Sequence, residues 1–132
     1  MDTAQICTAI TDNFPYPIVF ADVKHVIRYN NRAAQYHYCT ERGHDDLLGK
    51  SLLDCHFNPA SRDMIDAVIN KFKKDAKELF LKVNDRNQRV YITSVLDGNK
   101  NLMGYYERFE MNLSLQPTVH QDATQDADNR SL

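Results

Sequence analysis

Apolar and polar positions change rhythm several times along the chain, and each change predicts an element. Ile6, Ile10 and Phe14 recur at four-residue spacing, which predicts a short amphipathic helix near the N-terminus. Pro15 and Pro17 end it, because the residue before a proline is pushed away from helical dihedrals. Ile18, Val19 and Phe20 are strand formers. The polar group Asp22 to His25 closes a turn, and Val26, Ile27 and Tyr29 resume a strand. Asn31 stands where a helix N-cap belongs, ahead of Arg32, Ala33, Ala34 and Gln35. The unit reads as an antiparallel hairpin feeding a helix.

Gly43 then breaks the helical pattern. Asp45, Asp46, Leu47 and Leu48 predict one helical turn with acids at its positive end, and Gly49 suits a left-handed cap. Leu52, Leu53, Cys55, His56 and Phe57 load the next loop with apolar groups, so that loop is expected to fold inward. Pro59, or Ser61 as a cap, opens a longer helix. Met64, Ile65, Val68, Ile69 and Phe72 make one apolar face of it, ending near Lys74 or Asp75. Three strands follow. Residues 78–84 alternate, with Leu79, Leu81 and Val83 on one side. Val90 to Leu96 is β-rich, with its inward parity left open between Val90, Ile92, Ser94 and Tyr91, Thr93, Val95. Asp97-Gly98 signals a hairpin, and Leu102 to Met111 is the last strand, where Gly104 permits close approach or a bulge.

The order β-β-α-α-α-β-β-β predicts an α+β fold, a sheet of five antiparallel strands with the helices on one face. The expected organisation is a helix over 1–14, a folded domain over 15–112 and a tail over 113–132. The tail is polar from Ser114 and is expected to be disordered. The Ile6, Ile10, Phe14 stripe has two readings: it lies on the domain's own sheet, or it packs against the same helix of a second copy.

Bulk properties narrow the function. The chain has 132 residues, enough for one core, with 42% hydrophobic and 26% charged positions. A net charge of −2 gives no reason to expect nucleic acid. Lys71, Lys73, Lys74 and Lys77 read as a solvated helix face rather than an anion site. No run approaches the ~18 apolar residues of a membrane helix, and the first twenty residues do not read as a signal peptide. Cys7, Cys39 and Cys55 are odd in number and without framework spacing, which suggests free thiols and a cytoplasmic protein. His37, Cys39 and His44 lack the paired spacing of a zinc site. There is no Gly-x-Ser-x-Gly elbow and no glycine-rich phosphate loop, so catalysis is not expected.

Phe14 to Met111 resembles the PAS domain family in the order of its punctuation marks. The marks are the strand ending at Asp22, the helix start Asn31-Arg32-Ala33-Ala34, the step Leu47-Leu48-Gly49-Lys50, the hairpin Asp97 to Asn99, and Gly104. Gly49, Lys50, Cys55, His56, Pro59 and Ser61 are similar to PAS domains with a Cys-His pair before the long helix. The resemblance implies sensing or docking in signal transduction rather than catalysis. It also implies a cavity between sheet and helices, lined by Cys55, His56, Phe57, Met64, Val68, Ile69 and Phe72. Large side chains filling that space are the competing reading. No cofactor is required. The alternative is a haem-binding or redox sensor, with His56 as axial ligand and Cys55 as a second ligand or thiol. Cys55 and Phe57 match only two positions of the flavin-binding motif of PAS photoreceptors, so flavin is not expected. The expected partner is a second copy, met through Ile6, Ile10, Phe14 and outward sheet residues, or another signalling protein.

Overall fold

The computed structural model describes residues 1–55, 59–75 and 77–113; the side chains of Cys55 and Ser61 are outside that description. The expectations placed on His56, on Phe57 and on a disordered tail therefore lie outside the described residues.

Helix α1 spans Thr3–Asp12. Its start is a capping box: Asp2 Oδ1 accepts from the Gln5 amide at 2.8 Å, and Gln5 Oε1 accepts from the Asp2 amide at 2.9 Å. No residue of α1 is buried, and Ile6, Ile10 and the following Phe14 are 43%, 63% and 43% exposed. Strands β1 (Val19–Asp22) and β2 (Ile27–Asn30) form the expected hairpin. The Asp22 carboxylate organises the turn by accepting from the amides of Lys24 and Val26 and from Arg28 Nε. Val26, expected inside β2, instead bridges to Ser51.

Helix α2 is a single turn, Arg32–Gln35, capped by Asn31, whose Oδ1 accepts from the Ala34 amide at 2.9 Å. It runs on as a wider π-helical turn, Tyr36–Glu41. The helical turn expected at Asp45 to Leu48 does not form. Asp46 turns its carboxylate back on the Leu48 amide at 3.1 Å, which competes with helical bonding, while Leu47 is buried in the core. Leu52–Cys55 is a short 3₁₀ turn, and Leu52 and Leu53 pack on the core as an inward-folding loop requires. Helix α3 spans Pro59–Lys73. Ile65, Val68, Ile69 and Phe72 are buried, but Met64 is 37% exposed. At ~100° per residue Met64 lies a quarter-turn from the centre of the buried arc, so the predicted face is one residue too wide.

Strands β3 (Glu78–Val83), β4 (Gln88–Leu96) and β5 (Leu102–Met111) complete a five-stranded sheet of order β2-β1-β5-β4-β3, antiparallel throughout. Val90 and Ile92 are buried, which settles the parity of β4. In β3 the expected alternation holds through Leu81, with Leu79 and Leu81 against the core, and breaks after it. The register shifts between Phe80 and Lys82, and Lys82 and Val83 are both buried. The turn after β4 depends on Asp97, whose Oδ1 accepts from the amides of Asn99 and Asn101 at 2.8 and 2.9 Å. Gly104 pairs with Asp22, and a Cβ there would overlap the Ala21 carbonyl oxygen.

Two adjoining clusters fill the space between sheet and helices. Ala21, Ile65, Val68, Ile69, Phe72, Ile92 and Tyr105 form the first; Val19, Ile27, Ala34, Tyr38 and Leu47 form the second. His25, at φ 65° in the β1–β2 turn, places Nδ1 2.8 Å from the Tyr105 hydroxyl. No helix among the described residues is long and apolar enough to cross a membrane.

Candidate functional site

The inner sheet face is apolar under α3 and becomes charged beyond it. Pairing aligns Lys82 with Val90 and Val90 with Phe109, while Ile92 aligns with Glu107. Because successive residues of a strand point to opposite faces, Val90, Glu107 and Phe109 face the helices. The bulge in β3 brings Lys82 to the same side. Lys82 and Glu107 are 6% and 5% exposed. They stand at the floor of a cavity of about 490 Å³. The π-helical turn supplies one wall through His37, Tyr38, Glu41 and Arg42. Its i→i+5 closure, Arg42 N to His37 O at 3.2 Å, widens the turn; such widened turns recur at functional sites. Pro15, Tyr16 and Pro17 form a lip, and Asp85 and Arg86 in the β3–β4 turn close the far side.

Charge inside the cavity is graded. At the mouth Arg86 donates to Glu41 Oε2 at 2.9 Å, and His37 Nδ1 lies 3.5 Å from Glu41 Oε1. The bond from Arg86 holds the Glu41 carboxyl below the usual range. Burial pushes the His37 imidazole down, helped by the charge of Arg86 and opposed by Glu41. At the floor burial pushes the Glu107 carboxyl up to about 8, against the charges of Lys82 and Arg42 and a hydrogen bond from Tyr38. Glu107 Oε1 is buried and has no hydrogen-bond partner among the described residues. A buried polar atom left without a partner is rare in folded proteins.

Of the residues expected to line a ligand cavity, Val68, Ile69 and Phe72 are in the packed core, where Phe72 meets Tyr105 at 6.5 Å between ring centres. None of them lines this cavity, and Met64 is exposed. The roles expected for the Cys55 side chain, His56 and Phe57, including haem ligation, lie outside the described residues. His37, Tyr38, Lys82 and Glu107 were not singled out as a cavity. Their one legible signal is the repeat Tyr105-x-Glu107-x-Phe109, which puts an acid in phase with two aromatic residues. His37, Cys39 and His44 do not converge on a metal; among the described residues no metal-binding cluster of three or more His, Cys, Asp or Glu occurs.

No family model matches the chain, and no curated protein matches it. Solved structures do. A C-terminal domain from Streptococcus mutans superposes with a TM-score of 0.63 at 16% identity, over 90% of each chain. The PAS domain of a protein from Colwellia psychrerythraea gives 0.61 at 13% identity, over 83% of this chain and 97% of that one. The fold is that of a PAS domain. A sensory box sensor histidine kinase from Vibrio cholerae superposes at 0.55 and 13% identity, over 86% of this chain and 94% of that one. At these identities the likeness is one of fold, so the chemistry of this chain rests on its own residues.

Proposed function

We propose that the chain is a non-catalytic sensory PAS domain in signal transduction, which binds a small molecule in the cavity above Lys82 and Glu107. The observation that carries this reading is the buried Glu107 oxygen without a hydrogen-bond partner among the described residues, on a residue that lines about 490 Å³ of space. That volume is within the ~300–1,000 Å³ of small-molecule sites. A sensor histidine kinase with the same architecture supports the signalling part of the reading.

A ligand changes output only through different affinity for two arrangements of the protein. The cavity wall is the π-helical turn, and the lip leads directly into α1 through residues 13–17. Occupancy would therefore shift α1 and whatever packs on its exposed Ile6, Ile10 and Phe14. The second contact surface is the outer sheet face, where Arg89 lies 4.2 Å over the Phe80 ring and Arg108 4.2 Å over Tyr91. The assembly proposed is a homodimer through these surfaces.

Native mass spectrometry of protein purified from cell extract tests the sensory reading. A small-molecule adduct is expected on the wild type and not on Lys82→Met/Glu107→Leu, which replaces the polar floor with apolar groups. Loss of the adduct in Phe72→Leu, with retention in the floor variant, would move the site to the core under α3 and overturn the assignment.

A further inference from the structure

If the cavity holds a small molecule, its floor also selects the chemical class. This step rests on the sensory reading above. Glu107 lies at 5% exposure with no hydrogen-bond partner for Oε1 among the described residues, so an occupant that brings a hydrogen-bond donor completes it. A carboxyl raised by burial presents an acceptor oxygen in its ionised state and adds an O–H donor in its neutral one. An amide edge, N–H beside C=O, complements both. Its N–H donates to the carboxyl oxygen, and its C=O accepts from the carboxylic proton or faces the ammonium of Lys82. A cation in that place meets the charges of Lys82 and Arg42, which already act on Glu107. An anion meets Lys82, Arg42 and Arg86 as well as Glu41 and Asp85 on the walls, but it brings no donor to Oε1. Val90 and Phe109, on the same inner rows, offer apolar contact to the rest of the molecule.

We propose that the cavity takes a compact neutral molecule with an amide-type edge paired to Glu107 and an apolar body laid on Val90 and Phe109. Four probes separate the possibilities: the near-isosteric benzamide, benzoate and benzamidine, and N,N-dimethylbenzamide, which has no N–H. The readout is the backbone amide shifts of ¹⁵N-labelled full-length protein at Tyr38, Val90 and Phe109. Benzamide is expected to bind about tenfold more tightly than each of the others, the scale of one buried hydrogen bond. Glu107→Leu is expected to erase the difference between benzamide and its dimethyl analogue. Glu107→Gln, which keeps a donor and an acceptor at the same place, is expected to preserve it, so the test survives if the leucine variant does not fold. Tighter binding of benzoate or benzamidine at the same residues would overturn the amide class while leaving the cavity a ligand site. Equal binding of benzamide and its dimethyl analogue would do the same. Shifts at none of these residues with any probe would overturn the sensory reading itself.

Discussion

The Asn31 side chain joins four segments of the fold, and removing it measures how much that is worth. It is fully buried and uses its whole hydrogen-bonding capacity. Oδ1 accepts from the amides of Ile18 and Ala34, both at 2.9 Å. Nδ2 donates to the carbonyls of Thr11 at 2.9 Å and Tyr16 at 3.0 Å. One amide group thus ties the end of α1, the proline segment, the start of β1 and the cap of α2. Asn31→Leu takes the partner from the Ile18 and Ala34 amides and the Tyr16 carbonyl, while the Thr11 carbonyl keeps the Phe14 amide at 3.2 Å. A buried group stranded this way costs about 1–3 kcal/mol, and a lost N-cap alone about 0.5–2 kcal/mol. Thr11, Tyr16 and Ile18 are half-buried, so water replaces part of what is lost there. The expected total is about 2–4 kcal/mol rather than the full sum. With a urea slope of about 2 kcal/mol/M, the unfolding midpoint falls by about 1–2 M at unchanged slope. Circular dichroism in urea measures it. Asn31→Asp keeps the two accepted bonds and breaks the two donated ones. In it, hydrogen exchange should quicken in α1 before it does in α2. A loss below about 0.5 kcal/mol for the leucine variant, the range of ordinary surface changes, would refute the reasoning.

Gly104→Ala drives a methyl group into the β1 backbone at Ala21, with Asp22 Cα only 2.9 Å away, and should cost about 1–3 kcal/mol in thermal unfolding. Ile65→Ala should cost about 2–5 kcal/mol and the neighbouring Met64→Ala far less, which checks the narrowed face of α3 by chemical denaturation. Burial lowers the His25 pKa below 6.5, so the unfolded chain takes up that proton first and stability falls as pH drops below 6.5. His25→Gln should flatten that acid limb. Glu107 behaves oppositely: its carboxyl is raised from 4.5 to about 8 by burial, so the folded chain holds the proton longer. Its contribution is complete below 4.5 and is lost as pH rises through about 8, and Glu107→Gln should raise the melting temperature at pH 8 more than at pH 5. Ile10→Asp should turn the proposed dimer into a monomer by light scattering, and a wild type that is already monomeric at high concentration would remove that proposal.

Local rules read well where local physics decides. Asn31 as a cap, the turn at Asp22 and the hairpin at Asp97 were legible because short polar side chains satisfy neighbouring amides. The pairings of consecutive strands followed from turn signals, whereas β1 beside β5 has no local signal. The charged cavity was not legible, because it depends on register. Lys82 reaches the inner face only through a one-residue slip against β4, which no alternation count contains. Glu107 sits in an ordinary-looking run, Tyr106-Glu107-Arg108, and becomes an interior acid only once Ile92 is known to lie opposite it. The widened turn at Tyr36–Glu41 leaves no mark in composition either, since His37 and Glu41 at four-residue spacing also suit an ordinary surface helix.

Strand order β2-β1-β5-β4-β3 seats the last strand between the first and the fourth. The earliest hairpin therefore has no neighbour for its inner edge until residues beyond 100 arrive, and during synthesis it must wait for nearly the whole domain. Cleavage within the loop at 97–101 would yield two fragments, each lacking the other's half of the β1–β5 seam. Mixed together, they should dock and restore one sheet, giving a split reporter whose reassembly is driven by main-chain pairing.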